Sequence, residues 1–119
     1  MRSNRALCLA IALVATVAGG CHSSGIDVTI QNNAKVPLRN LEVDYPGAAF
    51  GTGSIAPGAS FWYHIKPTSD GDITLSFEQP DAKTIRQKQG TVRATESGRL
   101  IIIVDQAANQ QWHTRLEKK

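Results

Sequence analysis

The chain has 119 residues, a formal net charge of +3, two cysteines and 41% hydrophobic residues. That length suits one domain, and two thiols cannot build the disulfide framework of a small secreted scaffold. So modest a charge excludes the strongly basic footprint of a nucleic-acid binder.

The N-terminus reads as a targeting segment. Arg2 and Arg5 form a positive head, Leu7 to Ala18 an apolar run without a charge, and Ala18, Gly19 and Gly20 a small-residue close. This is the order of a secretory signal. The run, about twelve residues, is shorter than the roughly twenty that span a bilayer as a helix. The stretch AGGC, residues 18–21, resembles the lipobox of bacterial lipoproteins, with Gly20 before the cysteine and Ala18 where that family prefers Leu. The resemblance implies a helical signal peptide over 1–20, cleavage between Gly20 and Cys21, and lipidation of Cys21 on its thiol and new amine. It also implies an exported protein anchored in a membrane. Two or three acyl chains hold a protein firmly, whereas one chain, at about 0.8 kcal/mol per buried methylene, holds it only marginally. His22, rather than Asp, follows Cys21, which resembles the outer-membrane sorting choice of lipoproteins in hosts with two membranes. An ordinary cleaved signal that leaves a free thiol is the alternative for the same stretch.

On the lipoprotein resemblance Cys8 would leave with the signal and Cys21 would be consumed by lipid, so the mature domain would keep no thiol for a disulfide or a thiolate zinc site. Residues 21–25 form the lipidated cysteine and a polar tether. About five residues at roughly 3.3 Å each reach about 16 Å, which keeps the domain close to its membrane.

From Ile26 the pattern alternates with a period of two, the mark of a half-buried strand. IDVTIQN puts Ile26, Val28 and Ile30 on one face, and NNAKVP breaks it as a turn. LRNLEVDY turns Leu41, Val43 and Tyr45 inward and Glu42 and Asp44 outward. The Gly- and Pro-rich PGAAFGTGSIAPGAS has room for a short edge strand around Ala49 to Gly51, then a turn at Pro57-Gly58. FWYHIK sets Phe61, Tyr63 and Ile65 against Trp62, His64 and Lys66. After the turn PTSDGD, ITLSFE puts Ile73, Leu75 and Phe77 on one face. TIRQKQGTVRAT reads as one or two polar strands bent at Gly90, and RLIIIVD as a near-continuous apolar run, the pattern of a central strand. WHTRLE closes with Trp112, Thr114 and Leu116 on one side.

About seven to nine short strands, evenly spaced turns and no helical period predict an all-β fold over 26–119, a two-layer antiparallel β-sandwich. The stretch VTIQNNAKVPLRNLEV is similar to the first hairpin of small immunoglobulin-like domains of bacterial envelope proteins. That resemblance implies fold rather than function.

Without Arg2 and Arg5 the chain holds 11 basic and 10 acidic residues, unevenly spread: 21–82 carries −4 and 83–119 carries +5. Such asymmetry suits strands that pair with opposite sign inside one fold, or steering toward an anionic surface.

No nucleophile elbow, phosphate loop or dinucleotide fingerprint occurs, so the sequence points away from an enzyme and calls for no cofactor. Asp70-Gly71-Asp72 lacks the further ligands of a calcium loop and reads as a turn. His64 and His113 each stand outward beside a tryptophan and would pair only if their strands were neighbours. They are read as surface residues rather than metal ligands. The sequence therefore predicts a lipid-anchored envelope protein acting as a non-catalytic binding or structural module. Its partners would be the membrane, through Cys21, and an envelope protein. The alternative is glycan or small-ligand binding through an aromatic patch of Trp62 and His64, with Trp112 and His113 as further candidates. A cryptic hydrolase is a more distant reading.

Overall fold

In the computed structural model the structure describes residues 25–119. The signal segment, Gly20, Cys21 and His22 lie outside the described residues. Eight strands follow in chain order: β1 (Ile26–Asn32), β2 (Leu38–Tyr45), β3 (Ala48–Ile55), β4 (Ser60–Ile65), β5 (Gly71–Glu78), β6 (Thr84–Val92), β7 (Gly98–Gln106) and β8 (Trp112–Lys118). They form two four-stranded sheets, ordered β4-β1-β7-β8 and β3-β2-β5-β6, packed as an all-β sandwich.

The alternation read from the sequence becomes the core. Ile26, Val28 and Ile30 of β1 and Leu100, Ile102 and Val104 of β7 face Leu41 and Val43 of β2 and Ile73, Leu75 and Phe77 of β5, all buried. The apolar run of β7 conceals the same alternation, because Ile101 and Ile103 turn outward and are only half-buried.

Three features depart from the sequence expectations. The pairing is not wholly antiparallel: β1 runs parallel to β7, from Ile26↔Gly98 to Asn32↔Val104. Five strands lie between the two in the chain, which gives ample length for the crossover that a parallel pair requires. The edge strand expected at 49–51 runs instead from Ala48 to Ile55, because β2 pairs with it along its whole length. A complete ladder outweighs the weak strand preference of Gly51 and Gly53. Within β2, Asn40 adopts φ 45 at a register shift between Arg39 and Glu42. This bulge explains why Leu38 and Leu41, three residues apart, are both buried.

The polar segment 84–92 is a single strand. It carries its own bulge, since Ile73 pairs with Gly90 but Thr74 with Lys88, leaving Gln89 extra. The charge asymmetry resolves into pairs between the two halves of the chain. Arg86 bonds Asp44 at 3.3 Å and Lys88 bonds Asp72 at 3.1 Å.

The β5–β6 and β7–β8 turns share one design. Gln79 N–H donates to Lys83 C=O and Ala82 N–H to Gln79 C=O, while Ala107 N–H donates to Gln111 C=O and Gln110 N–H to Ala107 C=O. Each closes on a non-glycine residue with positive φ, Ala82 at 68 and Gln110 at 65. For an L-residue this conformation costs roughly 1–2 kcal/mol, more than the backbone entropy of a glycine. Ala82→Gly and Gln110→Gly should therefore each raise stability by about 0.5–1 kcal/mol in urea unfolding. Gly58→Ala, at φ 79 with open space around its added methyl, should lower stability by about 1 kcal/mol.

Candidate functional site

The two sides of the sandwich close differently. On one side β8 lies over β6, and polar bonds stitch the sheets together. Trp112 Nε1–H donates to Gln79 Oε1 at 2.8 Å, Thr114 Oγ1 donates to Gln87 Oε1 at 2.9 Å, and Lys118 Nζ donates to the Thr91 carbonyl at 2.9 Å. On the other side β4 lies over β3, and the closure is aromatic. Phe50 stacks on Tyr63 with ring centroids 4.8 Å apart, and also meets Phe61 and Tyr45, each at 6.3 Å. Burial lifts the Tyr45 phenol above its ordinary pKa, with a smaller push from Tyr63.

The four sequence candidates separate. Trp62 and Trp112 do not form one patch. Trp62 lies on the outer face of the β4-β1-β7-β8 sheet and is 66% exposed, whereas Trp112 is 8% exposed and packs edge-on to Phe77 at 4.8 Å. Trp112 is thus a core residue whose one polar atom is satisfied by Gln79. His64 and His113 share the outer face but sit on its two outermost strands, β4 and β8. His64 aligns with Asp27 and Arg99, and His113 with Asp105. Three strand spacings and six residues of rise separate the two imidazoles by more than about 20 Å, so they do not pair. Among the described residues, no three His, Asp or Glu side chains come together as a metal site. Asp70 links two turns: from the β4–β5 connection it accepts the N–H of Ala94 in the β6–β7 connection at 2.9 Å.

Around Trp62 the nearest side chains are polar, with half-buried Ile101 of β7 beyond Thr29. Trp62 stands beside Thr29, and Asp27 lies between His64 and Arg99 in the register. His64 Nδ1 and Asp27 Oδ1 are 2.7 Å apart. Asp27, Thr29, Trp62 and Arg99 line a hollow of about 280 Å³. Arg99 and Thr29 were not singled out by the sequence reading. Their signal was positional, since both alternate outward on strands whose inward residues are apolar.

A second feature is the β3 edge. Each sheet has two edges, and three of the four are guarded. β4 carries His64, β6 carries Arg86, Lys88 and a bulge, and β8 carries Arg115, Glu117 and Lys118. β3, AAFGTGSI, has neither a charge nor a proline. Natural sheets commonly protect such edges, and a bare one is a template for strand addition. Along its outer face Ala49, Gly51 and Gly53 leave an open trench of about 540 Å³. Glu42 borders it on β2, and Asp44, paired with Arg86, lies next along the same face. The hydrogen bond to Asp44, and then its negative charge, hold the Glu42 carboxyl above the ordinary carboxylate pKa.

No protein-family model matches the sequence, and no curated protein does. Among solved structures, the chain is similar to the NMR structure of a protein from Eubacterium rectale. The likeness has a TM-score of 0.62 and 10% identity, over 84% of this chain and 97% of that one. At that identity the likeness shows the fold alone.

Two outcomes follow from this geometry. Trp62→Phe should leave a single blue emission protected from acrylamide, and Trp112→Phe a red, readily quenched one; the reverse would place the indoles wrongly. Because Asp44 raises the Glu42 pKa, ionising Glu42 weakens the fold as pH rises through its folded-state midpoint. Asp44→Asn should lower the Glu42 midpoint in a carboxyl NMR titration toward the ordinary value.

Proposed function

We propose that the chain is a lipid-anchored envelope protein, exported and held at its membrane through Cys21, that acts as a non-catalytic protein-binding module. In a host with two membranes it belongs to the outer one. The partner adds an extended segment to β3. The observation that carries this reading is the bare β3 edge, eight residues long and the one strand edge among the described residues without a guarding side chain.

Strand addition draws its affinity from main-chain hydrogen bonds and its specificity from alternate side chains. Outward side chains of an added strand would cross Ala49, Gly51 and Gly53, which block nothing, and meet Glu42, while Asp44 beyond it is already paired with Arg86. A basic residue suits the position over Glu42. Inward side chains would meet Phe50 and the half-exposed ring of Tyr63, so apolar residues suit the alternate positions. The location fits a short tether. The β2–β3 turn lies at the end of the sandwich where β1 begins, since Thr68 N–H, just past β4, donates to the Pro46 carbonyl at 3.1 Å.

Gly53→Lys tests the edge without disturbing it, because a Cβ at Gly53 meets nothing within 4 Å. Gly51 is unsuitable, since a Cβ there would clash with the Leu41 carbonyl. A photo-crosslinking residue at Ala49 should give a discrete envelope adduct in cells, reduced about tenfold or more by Gly53→Lys, given that a guarding charge disfavours edge pairing. An adduct indifferent to Gly53→Lys would overturn the edge reading. For the anchor, mass spectrometry of the mature N-terminal peptide should find Cys21 first and acylated. A peptide that begins upstream, or a bare thiol, would overturn it.

A further inference from the structure

We propose that the outer face of the β4-β1-β7-β8 sheet carries a binding site for an uncharged oligosaccharide, with Trp62 as its stacking platform and Asp27, Arg99 and Thr29 as its hydrogen-bonding groups. This site goes beyond the β3 edge and does not depend on it.

Trp62 is the most exposed large apolar side chain among the described residues. It sits on a strand paired with β1 along its length, from Ile26↔Ile65 to Gln31↔Ser60, so the backbone beneath it is fixed. An indole that lies against a ligand contributes a wide apolar surface, and its electron-rich face attracts the polarised C–H bonds of a sugar ring. A purely apolar partner would need a broad apolar surround. Here the lining groups are a hydroxyl, a carboxylate and a guanidinium, with an imidazole beside them, and the nearest outward apolar residue on β7, Ile101, lies beyond Thr29.

Those groups suit a ligand rich in hydroxyls. A carboxylate accepts from two neighbouring hydroxyls, and a guanidinium donates a parallel pair of bonds in a fixed fork. The Asp27 carboxylate is steadied by His64 at 2.7 Å. The Arg99 side chain makes no ion pair or hydrogen bond among the described residues, so its donors face the hollow unspent. Asp27 and Arg99 are direct register partners of opposite sign. Their charges offset each other, which favours a neutral ligand over an anion or a cation.

The shape indicates more than one ring. The hollow beside Trp62, about 280 Å³, falls just below the usual range of small-molecule sites. A second hollow of about 540 Å³ shares Asp27 and Arg99 and continues past His64 to Ser97, Gly98 and Lys119. A chain of sugars can stack its first ring on Trp62 and run on toward the strand ends.

The test uses the full-length protein in detergent and in phosphatidylcholine–phosphatidylglycerol vesicles, with cellotetraose and chitotetraose as probes. At millimolar concentration at least one should shift the exposed tryptophan emission and move the backbone amide resonances of Asp27, Thr29 and Arg99. Trp62→Ala should abolish binding, and Asp27→Asn or Arg99→Gln should weaken it about tenfold, the effect of losing a hydrogen bond to a charged group. Gly53→Lys should leave it unchanged, which separates this site from the β3 edge. The amide shifts in the unmodified protein decide the matter even where a variant folds poorly. Absence of any response to both sugars overturns the proposal. So does a Trp62 emission that turns blue in vesicles and ignores sugar, which would make the ring a bilayer contact instead.

Discussion

One buried amide organises this sandwich. Asn32, the last residue of β1, is the fully buried polar side chain among the described residues. Its Nδ2 donates to the carbonyls of Val36 at 2.9 Å and Ile55 at 3.0 Å, and its Oδ1 accepts the Ala34 N–H at 2.9 Å. Its backbone N–H donates to Ala59 C=O and its carbonyl accepts from Gly58 N–H. The residue therefore ties the end of β1 to the β1–β2 loop, the end of β3 and the turn that enters β4. Those segments belong to both sheets. Only an amide of this length supplies two donors and an acceptor here; a carboxylate would set negative oxygens against two carbonyls. A buried polar network of this kind specifies one arrangement when every member is satisfied, and the described residues leave no buried side-chain polar atom without a partner.

With that end fixed, the two sides of the sandwich take different characters. The β6/β8 side is closed by directional bonds from Trp112, Thr114 and Lys118, and its edges carry charges. The β3/β4 side is closed by packing of Phe50, Phe61 and Tyr63, and the β3 backbone is left unguarded. Charges along an edge disfavour pairing with a further strand, and β3 is the edge among the described residues that has none beside its aromatic closure. The same division explains the tryptophans. Trp112 is spent inside the stitched side, and Trp62 is left on the surface of the open one.

Much of this was legible in the sequence, for a physical reason. A period of two in IDVTIQN, ITLSFE and LRNLEVDY can mean little except strands with one face buried, so fold class and core followed directly. The strand ITLSFE is buried at each of the three positions the pattern marks. What was not legible depends on which strand lies beside which. The parallel β1–β7 pair, the separation of His64 from His113 and the convergence of Arg99 on Trp62 are all properties of strand order, which periodicity does not carry. Asn32 was hidden because an asparagine at the head of a turn normally bonds its own loop. Its Ala34 bond does that, and only the fold reveals Ile55 as a further partner. The alternation sets Trp112 beside Leu116 and Trp62 opposite Phe61 and Ile65, and burial in the fold makes the first a core residue and the second a surface one.

The most direct test compares two adjacent asparagines. Asn33 is exposed, and its side-chain bond, donated by Gln31 Nε2, lies at the surface. In urea unfolding Asn32→Ala should cost about 3 kcal/mol, the loss of two buried bonds and one part-buried bond with their partners left unsatisfied, while Asn33→Ala should stay within about 0.5 kcal/mol. Equal losses at the two positions, or a loss below about 1 kcal/mol at Asn32, would contradict the account.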